Sequence, residues 1–277
     1  MTGMSLLMQA SGLSLISESF CTCWVIQNLS KFCTFDHLGG MAVGSPLLLS
    51  EKHRLALMSN GWFADLSETI REDILAHARK RALVSGERLF LRGDKPDGVY
   101  GVLQGCLCVS GINRNGRQTV LDFYGPGSWI GEVSVLEGWP RLLDAEADGS
   151  TVVLQIRPED LETLLARHPA LSRALLRLEA QRLRILLTAI EQYSTQSLEQ
   201  RLATRLLMLA ASHGVPSQQG LKIDLHLSQE TLAQLIGATR QRVNTILKDL
   251  ERKGLVEQRY GSILIRDTAK LEVLAET

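Results

Sequence analysis

The chain has 277 residues, long enough for two domains, and its 45% hydrophobic and 22% charged residues are typical of a globular protein. The formal net charge is zero, so no overall positive field attracts nucleic acid, and any affinity of that kind must come from a local patch. No apolar run approaches the roughly 20 residues of a membrane span, and five cysteines without a secretory pattern predict a soluble cytoplasmic protein with no membrane partner.

Residues 1–50 differ in composition from the rest of the chain. They are rich in Ser, Thr, Met and Leu, and they show no sustained helical or strand period. The first charged residue is Glu18 and the first basic one is Lys31, which excludes a signal peptide with a basic start. We expect a poorly ordered extension, and we hypothesise that the native protein begins at Met41.

The next region predicts one helix followed by a β domain. Apolar residues at helical spacing predict a helix from Asp65 to Ala82. From Leu83 to Ile156, short apolar alternations are separated by turn residues about every 8 to 12 residues, as in an antiparallel sandwich or barrel. Asn115-Gly116 is the strongest hairpin mark, because a type I′ turn needs positive φ at both central residues, and Gly125-Pro126-Gly127 marks another turn. We therefore predict a β-roll sensor domain over residues 62–168.

Two helices are predicted after the β domain. Pro158 begins a short helix that ends near His168, and a long helix runs from about Pro169 to Tyr193 with a broad apolar stripe. A helix of this length predicts a dimerisation seam over residues 169–195. The alternative is that the stripe packs against its own domain, and the two interpretations are compatible.

Residues 227–254, LSQETLAQLIGATRQRVNTILKDLERKG, predict two short amphipathic helices joined by a turn at Gly237. Ser228 is the predicted N-cap of the first helix, with Thr231 three residues later in place of the Glu or Gln of a full capping box. The alternating stretch that follows Gly254 predicts a β-hairpin. A helix pair followed by a hairpin is the order of a winged helix-turn-helix, which we place at residues 196–277. The alternative is an ordinary helical hairpin with a solvated polar face.

The polar face of the second helix predicts binding to double-stranded DNA. The residues predicted to read base edges are Arg240, Gln241, Asn244 and Thr245. The residues predicted to contact phosphates are Ser228, Thr239, Arg242 and Lys248. Arg240 is suited to hydrogen-bond guanine, and Gln241 is suited to hydrogen-bond adenine. The alternative for Arg242 is that its side chain lies along the helix surface and does not contact a phosphate.

These elements, with the segments GPGSWIGEVSVLEGWPR and LSQETLAQLIGATRQRVNTILKDLERKGLV, resemble the Crp/Fnr transcription regulators from about Trp62 to the C terminus. The resemblance implies an α+β protein with an N-terminal antiparallel β-roll (a cyclic-nucleotide-binding-like jelly roll), a long dimerisation helix and a C-terminal winged helix-turn-helix. It implies a homodimer that binds two-fold-related DNA, answers to a signal sensed in the β-roll and contacts RNA polymerase. Gln241 and Thr245 stand where the family commonly has Glu and Arg, so we expect a half-site unlike the best-known Crp site.

The resemblance also implies an effector pocket in the β-roll. Members that bind a cyclic nucleotide hold its ribose with the Glu of Gly-Glu-Leu and its phosphate with the Arg of Arg-Ser/Thr-Ala. The matching residues here are Gly131, Glu132 and Arg141.

Two neighbouring residues depart from that pattern and disfavour a cyclic nucleotide. Leu142 removes the hydroxyl, which forgoes a bond of about 1.5–3 kcal/mol, and Leu143 replaces the small Ala. The alternatives are another small molecule, or a closed pocket with Leu143 filling the cavity. A separate alternative for Arg141 is a structural ion pair with Glu132 or Asp144.

The cysteines and the remaining motifs exclude other classes of site. The Fnr branch holds an iron–sulfur cluster with cysteines, which in this chain are Cys21, Cys23, Cys33, Cys106 and Cys108. Their spacing departs from cluster-binding runs, so we expect no cluster, and Cys106 and Cys108 are predicted to be buried or half-buried structural thiols.

No Gly-x-Ser-x-Gly, P-loop or metal-ligand spacing occurs, so we expect neither catalytic residues nor a metal site. The alternative function is a cyclic-nucleotide-binding regulatory protein whose C-terminal module contacts protein. DNA affinity with a steep salt dependence distinguishes the two functions.

Overall fold

The structure, a computed structural model, describes residues 49–112, 116, 118–259 and 261–276. The hypothesised start at Met41 and nearly all of the predicted extension over residues 1–50 lie outside this part. The helices are α1 Glu51–Met58, α2 Gly61–Ala64, α3 Glu68–His77, α4 Glu132–Glu137, α5 Pro158–Arg167, α6 Pro169–Thr195, α7 Leu198–His213, α8 Gln229–Ile236, α9 Arg240–Arg252 and α10 Thr268–Glu276. The strands are β1 Arg79–Leu83, β2 Arg88–Phe90, β3 Val99–Gln104, β4 Leu107–Ile112, β5 Gln118–Tyr124, β6 Trp129–Ile130, β7 Asp144–Ala147, β8 Thr151–Ile156, β9 Gly214–Ser217, β10 Gly220–Ile223, β11 Val256–Arg259 and β12 Ser262–Ile265.

Strands β1 to β8 form the predicted β-roll. They make two antiparallel sheets, with strand orders β1-β8-β3-β6 and β2-β7-β4-β5. Apolar side chains such as Tyr100, Leu107 and Val153 are fully buried in a cluster to which both sheets contribute. Strands β4 and β5 pair as a hairpin with Gly116 at φ +74°, which confirms the predicted hairpin, although Asn115 lies outside the described residues.

One predicted element is partly wrong. The helix expected from Asp65 to Ala82 ends at His77, and Arg79–Leu83 is strand β1, paired in register with β8. Ala78 leaves the helix with an extended backbone, and the strand that follows buries Leu83. Pairing with a strand distant in sequence overrides the local helical pattern.

The long helix α6 spans Pro169–Thr195, close to the predicted range. Its first half packs against the β-roll through Leu171, Leu175 and Leu178, which are buried. In its second half the large apolar side chains are at least half exposed. The exposed large apolar residues along the whole of α6 are Leu176, Leu183, Ile185, Leu186, Leu187, Ile190 and Tyr193. The described residues contain no helix that is both long and apolar enough to cross a membrane.

The C-terminal domain is a winged helix-turn-helix with an additional hairpin. Ser197 and Gln200 form a reciprocal capping box at the start of α7. Strands β9 and β10, which the sequence did not predict, extend the wing into a four-stranded sheet of order β11-β12-β10-β9. The core beneath this sheet includes Leu206, Leu232 and Leu247, all fully buried.

The winged domain packs directly on strand β5 of the β-roll. A single apolar cluster joins Val120 and Phe123 to the core of the winged domain. Arg205 donates to the carbonyl of Leu121 at 2.6 Å and to Asp122 at 2.9 Å. The ring of His213 lies 3.2 Å from the carbonyl of Phe123, where burial lowers the pKa of the imidazole.

Cys106 and Cys108 lie beside this contact. Cys106 belongs to the joint apolar cluster and Cys108 packs against it. Both thiols are free, the first buried and the second half-buried. Burial raises the pKa of both thiols, that of Cys108 to about 12. The prediction of buried or half-buried structural thiols is confirmed, whereas Cys21, Cys23 and Cys33 lie outside the described residues.

Candidate nucleic-acid interface and effector cavity

The helix-turn-helix is built by two hydroxyl caps and one glycine. Ser228 Oγ accepts from the backbone N–H of Thr231 at 2.9 Å, which confirms it as the N-cap of α8. Gly237 ends α8 at φ +67°, a left-handed conformation that favours glycine. Thr239 then caps α9 by accepting from the N–H of Arg242 at 3.4 Å. Two of the four predicted phosphate-contacting residues therefore fix the ends of the two helices.

Helix α9 is oriented by its apolar stripe. Val243, Leu247 and Leu250 are buried, so the opposite face of the helix is turned to solvent. The predicted DNA-contacting residues that are exposed on and beside that face are Thr239, Arg240, Gln241, Arg242, Thr245 and Lys248. We call this set the reading face.

The reading face carries three cations that form no ion pair with any described residue, namely Arg240, Arg242 and Lys248. The cations at the end of the same helix differ, because Arg252 and Lys253 both pair with Asp249 at 2.8 Å. The reading face is therefore the local positive patch that a chain of zero net charge requires for DNA binding.

Two predicted base-reading residues make contacts within the protein. Asn244 is half-buried, and its Oδ1 accepts from Gln229 at 3.1 Å. Gln229 also donates to Gln258 at 3.1 Å, so the amides connect α8, α9 and β11. Thr245 donates its hydroxyl to the carbonyl of Gln241 at 3.0 Å. Gln229 and Gln258 were not predicted, since nothing in their local pattern indicates this contact; the predicted DNA roles of Asn244 and Thr245 stay predictions.

The wing is held against the same helix pair. Strands β11 and β12 form the predicted hairpin, with Gly261 at φ +66° in its turn. The carbonyl of Gly261 accepts from the N–H of Leu227, immediately before the cap of α8, at 2.9 Å. This bond and the amide contacts connect the wing to both helices.

A second candidate site is a cavity between the β-roll and α6, with a volume of about 360 Å³. Its polar lining includes the predicted effector residues Gly131, Glu132 and Arg141. Helix α6 contributes Glu179, Arg182, Leu183 and Leu186. The predicted pocket residues are therefore brought together, with additional residues from the long helix.

Arg141 is 2% exposed and its guanidinium is held by protein groups. It donates to Asp97 at 2.8 Å and to the carbonyls of Gly98 at 2.6 Å and Gly131 at 2.8 Å. The guanidinium also lies over the ring of Phe90, 4.2 Å from its centroid. Arg141 is in a structural ion pair, but its partner is Asp97, so the alternative that named Glu132 or Asp144 as the partner is wrong.

The absence of a side chain at Gly131 leaves room for the guanidinium of Arg141. Its φ is +88°, and a Cβ there would lie 2.6 Å from an Arg141 guanidinium nitrogen. A larger residue would therefore need both a strained backbone and a displaced arginine.

Glu132 is 3% exposed and its carboxylate is paired with Arg182, which also donates to the carbonyl of Trp129. Arg182 lies 3.4 Å from Glu179 as well, so one guanidinium faces two carboxylates. Burial, followed by the nearby Glu132 carboxylate, raises the pKa of Glu179. The second oxygen of Glu132, Oε2, is buried and has no hydrogen-bond partner among the described residues.

The two leucines do not close the cavity. Leu142 is 63% exposed at its rim and Leu143 is half-buried in its wall, and the cavity stays open beside them. The alternative in which Leu143 fills the cavity is therefore wrong.

The two side chains that would hold a cyclic nucleotide are already bonded to groups of the protein. The arginine that would hold its phosphate is already bonded to a carboxylate and two carbonyls, and the glutamate that would hold its ribose is bonded to Arg182. Leu142 and Leu143 supply no hydroxyl for a phosphate oxygen. Within the described residues no three His, Cys, Asp or Glu side chains converge as metal ligands would.

A β-roll, a long helix and a winged helix-turn-helix with an unpaired cationic reading face together define a DNA-binding transcription regulator. The chain also matches two protein families that are consistent with a transcription regulator. Residues 80–168 match a cyclic nucleotide-binding domain, and residues 200–274 match a Crp-like helix-turn-helix domain.

Individual relatives place the chain more narrowly. It is 30% identical over 186 residues to a CRP-like cAMP-activated global transcriptional regulator of Mycobacterium tuberculosis, covering 67% of this chain and 83% of that protein. It is 34% identical over 185 residues to the transcriptional regulator SdrP of Thermus thermophilus, covering 65% and 85%. The solved structure of a CRP-family transcriptional regulator from Thermus thermophilus is 28% identical, with a TM-score of 0.61, and the match covers 71% of this chain and 97% of that one. The chain belongs to the Crp/Fnr family, whose members are transcription regulators and not enzymes.

Proposed function

We propose that this regulator is a cytoplasmic homodimer that binds a two-fold-related DNA site without requiring a cyclic nucleotide, and that it acts on RNA polymerase. The observation that carries the proposal is the reading face, because Arg240, Arg242 and Lys248 are exposed and form no ion pair within the described protein. Unpaired cations on a helix that enters the major groove can replace the counterions of DNA phosphates.

The exposed stripe on α6 supports the homodimer. Leu176, Leu183, Leu187 and Ile190 are each more than half exposed and recur at coiled-coil spacing. A second copy of the helix would cover them, since an apolar patch of this kind on a helix is typical of a protein interface. Pairing through α6 would also present two reading faces to the two halves of one site.

The cavity supports independence from cyclic nucleotide, because Arg141 and Glu132 are already bonded to groups of the protein. No observation favours the alternative in which the C-terminal module contacts protein. A reading face of unpaired cations is better suited to a phosphate backbone.

Fluorescence anisotropy on a labelled duplex tests the proposal. The duplex is first selected from a random pool with the full chain, and binding is then measured over a salt series with and without cyclic AMP. We expect affinity to fall steeply with salt, with a log–log slope of about −0.9 for each phosphate contact, and to be unchanged by the nucleotide. Binding that appears only with cyclic AMP would overturn nucleotide independence, and no binding in either condition would overturn the proposed site.

The homodimer is tested by the variant Leu187→Asp, with Leu55→Asp as the control. Both residues are exposed leucines on helices, at 58% and 55%, but Leu55 lies on α1 and outside the stripe. We expect only Leu187→Asp to produce monomers in analytical ultracentrifugation and to reduce DNA affinity by about 100-fold or more, because two linked reading faces bind more tightly than one. A dimer that survives Leu187→Asp would contradict pairing through α6.

A further inference from the structure

We propose that Gln229 is a positioning residue that turns the side-chain amide of Asn244 so that only its N–H groups face the DNA, and that Asn244 therefore reads guanine and not adenine. This inference rests on the proposed function in one respect, namely that α9 enters the major groove. The arrangement of the side chains depends only on the folded protein. We call Glu251, Gln258, Gln229 and Asn244 the amide network.

A carboxylate fixes the direction of the hydrogen bonds at one end of the amide network. Glu251, near the end of α9, accepts from the backbone N–H of Gln258 at 3.0 Å and from its side-chain Nε2 at 3.3 Å. An ionised carboxylate has no proton to donate, so Gln258 must place its amide nitrogen, and not its amide oxygen, toward Glu251. The other arm of the Gln258 amide, Oε1, is therefore an acceptor.

Gln229 passes this direction on to α9. Its Nε2 donates to Oε1 of Gln258 at 3.1 Å and to Oδ1 of Asn244 at 3.1 Å. An amide nitrogen carries two hydrogens, so one nitrogen can make both bonds. The orientation of an amide is decided by the groups it faces, and here each amide faces one whose direction is already fixed. The oxygen of Asn244 is thereby held within the protein.

The nitrogen of Asn244 is the group that remains for DNA. Nδ2 forms no hydrogen bond with any described residue, and it is not among the buried polar atoms that lack a partner, so solvent reaches it. Asn244 lies one turn after Arg240 and one turn before Lys248, in a row with two cations of the reading face. Its two N–H donors are therefore presented where α9 would meet base edges.

Two donors without an acceptor select guanine. In the major groove guanine presents two acceptors, O6 and N7, whereas adenine presents the acceptor N7 beside the donor N6. Pairing of asparagine with adenine needs the amide oxygen to accept from N6, and in Asn244 that oxygen is already bonded to Gln229. Thymine offers one acceptor and cytosine a donor. We therefore expect guanine to be favoured over adenine by about tenfold at the base pair that Asn244 contacts.

Competition binding with the full-length protein identifies that base pair. A labelled duplex with a site selected from a random pool is displaced by unlabelled duplexes in which each half-site position is changed in turn to the other three base pairs. Asn244→Ala is measured in the same way. We expect the parent protein to prefer guanine at one position where the variant has lost its preference. A parent preference for adenine at that position, or an unchanged profile in Asn244→Ala, would overturn the inference.

The variant Gln229→Glu tests whether Gln229 sets the preference. The new carboxylate can only accept, so Asn244 would have to turn its nitrogen inward and present its oxygen to the DNA. We expect the preferred base at its position to change from guanine to adenine. Retention of guanine would overturn the role of Gln229.

Gln234→Glu is the matched control, because it adds the same charge to α8 outside the amide network. We expect it to keep the preference for guanine. The added charge weakens phosphate contacts for every duplex alike, so the preferences of the two variants are compared and not their affinities. A change to adenine in this control as well would show that charge, and not Gln229, sets the preference, and would overturn the inference.

Glu251→Gln tests the anchor of the amide network. An amide at this exposed position can donate as well as accept, so both directions of the network become possible. We expect the preference for guanine over adenine to fall from about tenfold to below about threefold. An unchanged preference would overturn the role of Glu251 as the anchor.

The amide network is also tested without DNA, by NMR of the side-chain amide groups in the free protein with isotope-labelled Asn and Gln. We expect the amide protons of Gln229 to exchange with water more slowly than those of Asn244, because the former are bonded and the latter are not. Equal exchange would overturn the network. Slow exchange at Gln229 in a protein that binds no duplex would support the network and overturn the proposed function together with the reading of guanine. DNA binding with guanine retained in Gln229→Glu would instead support the proposed function and overturn this inference.

Discussion

The reading face and the effector cavity use arginine in opposite ways. On the reading face, Arg240 and Arg242 are exposed and form no ion pair within the described protein. In the cavity, Arg141 is bonded to a carboxylate and two carbonyls, and Arg182 to a carboxylate and a carbonyl. A side chain that matches a family pattern can bind a ligand only if its hydrogen-bonding groups and charge are not already paired within the protein. The arginines of the reading face are therefore available to DNA phosphates, whereas those of the cavity are less available to a cyclic phosphate.

The largest expected effect is at the reading face. Arg240→Ala should reduce DNA affinity by about 100-fold, because a bidentate arginine contributes about 1–3 kcal/mol and a homodimer loses two. The control is Arg252→Ala on the same helix, whose guanidinium is already paired with Asp249 at 2.8 Å. Anisotropy on the selected duplex should show less than about a threefold change for the control. Equal losses in the two variants would contradict the distinction between paired and unpaired cations.

The next effect concerns the stability of the cavity wall. Asp97→Asn removes the carboxylate partner of the buried Arg141 and should lower the free energy of unfolding by about 1–3 kcal/mol. Because Asp97 is itself half exposed, water replaces part of what is lost. Glu146→Gln is the control, since its pair with Arg88 is 3.8 Å long and exposed on both sides. Urea unfolding measures both variants, and equal changes would show that Arg141 does not depend on Asp97.

Asp97→Asn also tests which residues exclude a cyclic nucleotide from the cavity. If Asp97→Asn gains affinity for cyclic AMP in isothermal titration calorimetry, then the ion pair is what excludes the nucleotide. If affinity stays absent, the exclusion lies with the features that the variant leaves in place, namely the Glu132–Arg182 pair and the hydroxyl missing at Leu142. Our expectation is the latter, because the hydroxyl that would meet the phosphate is still missing.

The smallest effect is at His213, where the β-roll and the winged domain meet. Burial lowers the pKa of His213 below its ordinary value of 6.5, so the folded state binds fewer protons than the unfolded state. Its contribution to stability is therefore complete above pH 6.5 and is lost as the pH falls below that value toward the folded-state pKa. His213→Gln should flatten the pH dependence of the free energy of unfolding below pH 6.5, because it removes the group whose pKa differs between the folded and unfolded states. Identical slopes in the parent protein and the variant would contradict this assignment.

Elements defined by local periodicity were predicted well from the sequence. The cap at Ser228, the turn at Gly237 and the long helix α6 depend on patterns within a few residues, and all three are confirmed. Strand β1 was missed because its form depends on pairing with β8, far along the chain. Strands β9 and β10 are four residues each and contain Gly, Pro and Ser, which gives them no strand pattern of their own.

Contacts between residues far apart in the sequence also explain which features of the cavity could not be predicted. The sequence predicted that Gly131, Glu132 and Arg141 would converge, and the structure brings them to one cavity. It did not predict their partners, because Asp97 lies 44 residues before Arg141 and Arg182 lies 50 residues after Glu132. Asp97 and Arg182 carry no motif of their own, so only the folded arrangement could reveal that the matching residues were already bonded.

Leu183 belongs both to the apolar stripe of α6 and to the lining of the cavity, and it is 56% exposed. In a homodimer the partner helix would cover this side chain, so part of the cavity wall would become part of the subunit contact. Release of a molecule bound in the cavity would then require the subunits to separate. The rate of release would therefore decrease as the protein concentration rises above the dimer dissociation constant. The time over which the cell could reverse a signal would therefore depend on how much of the regulator it contains.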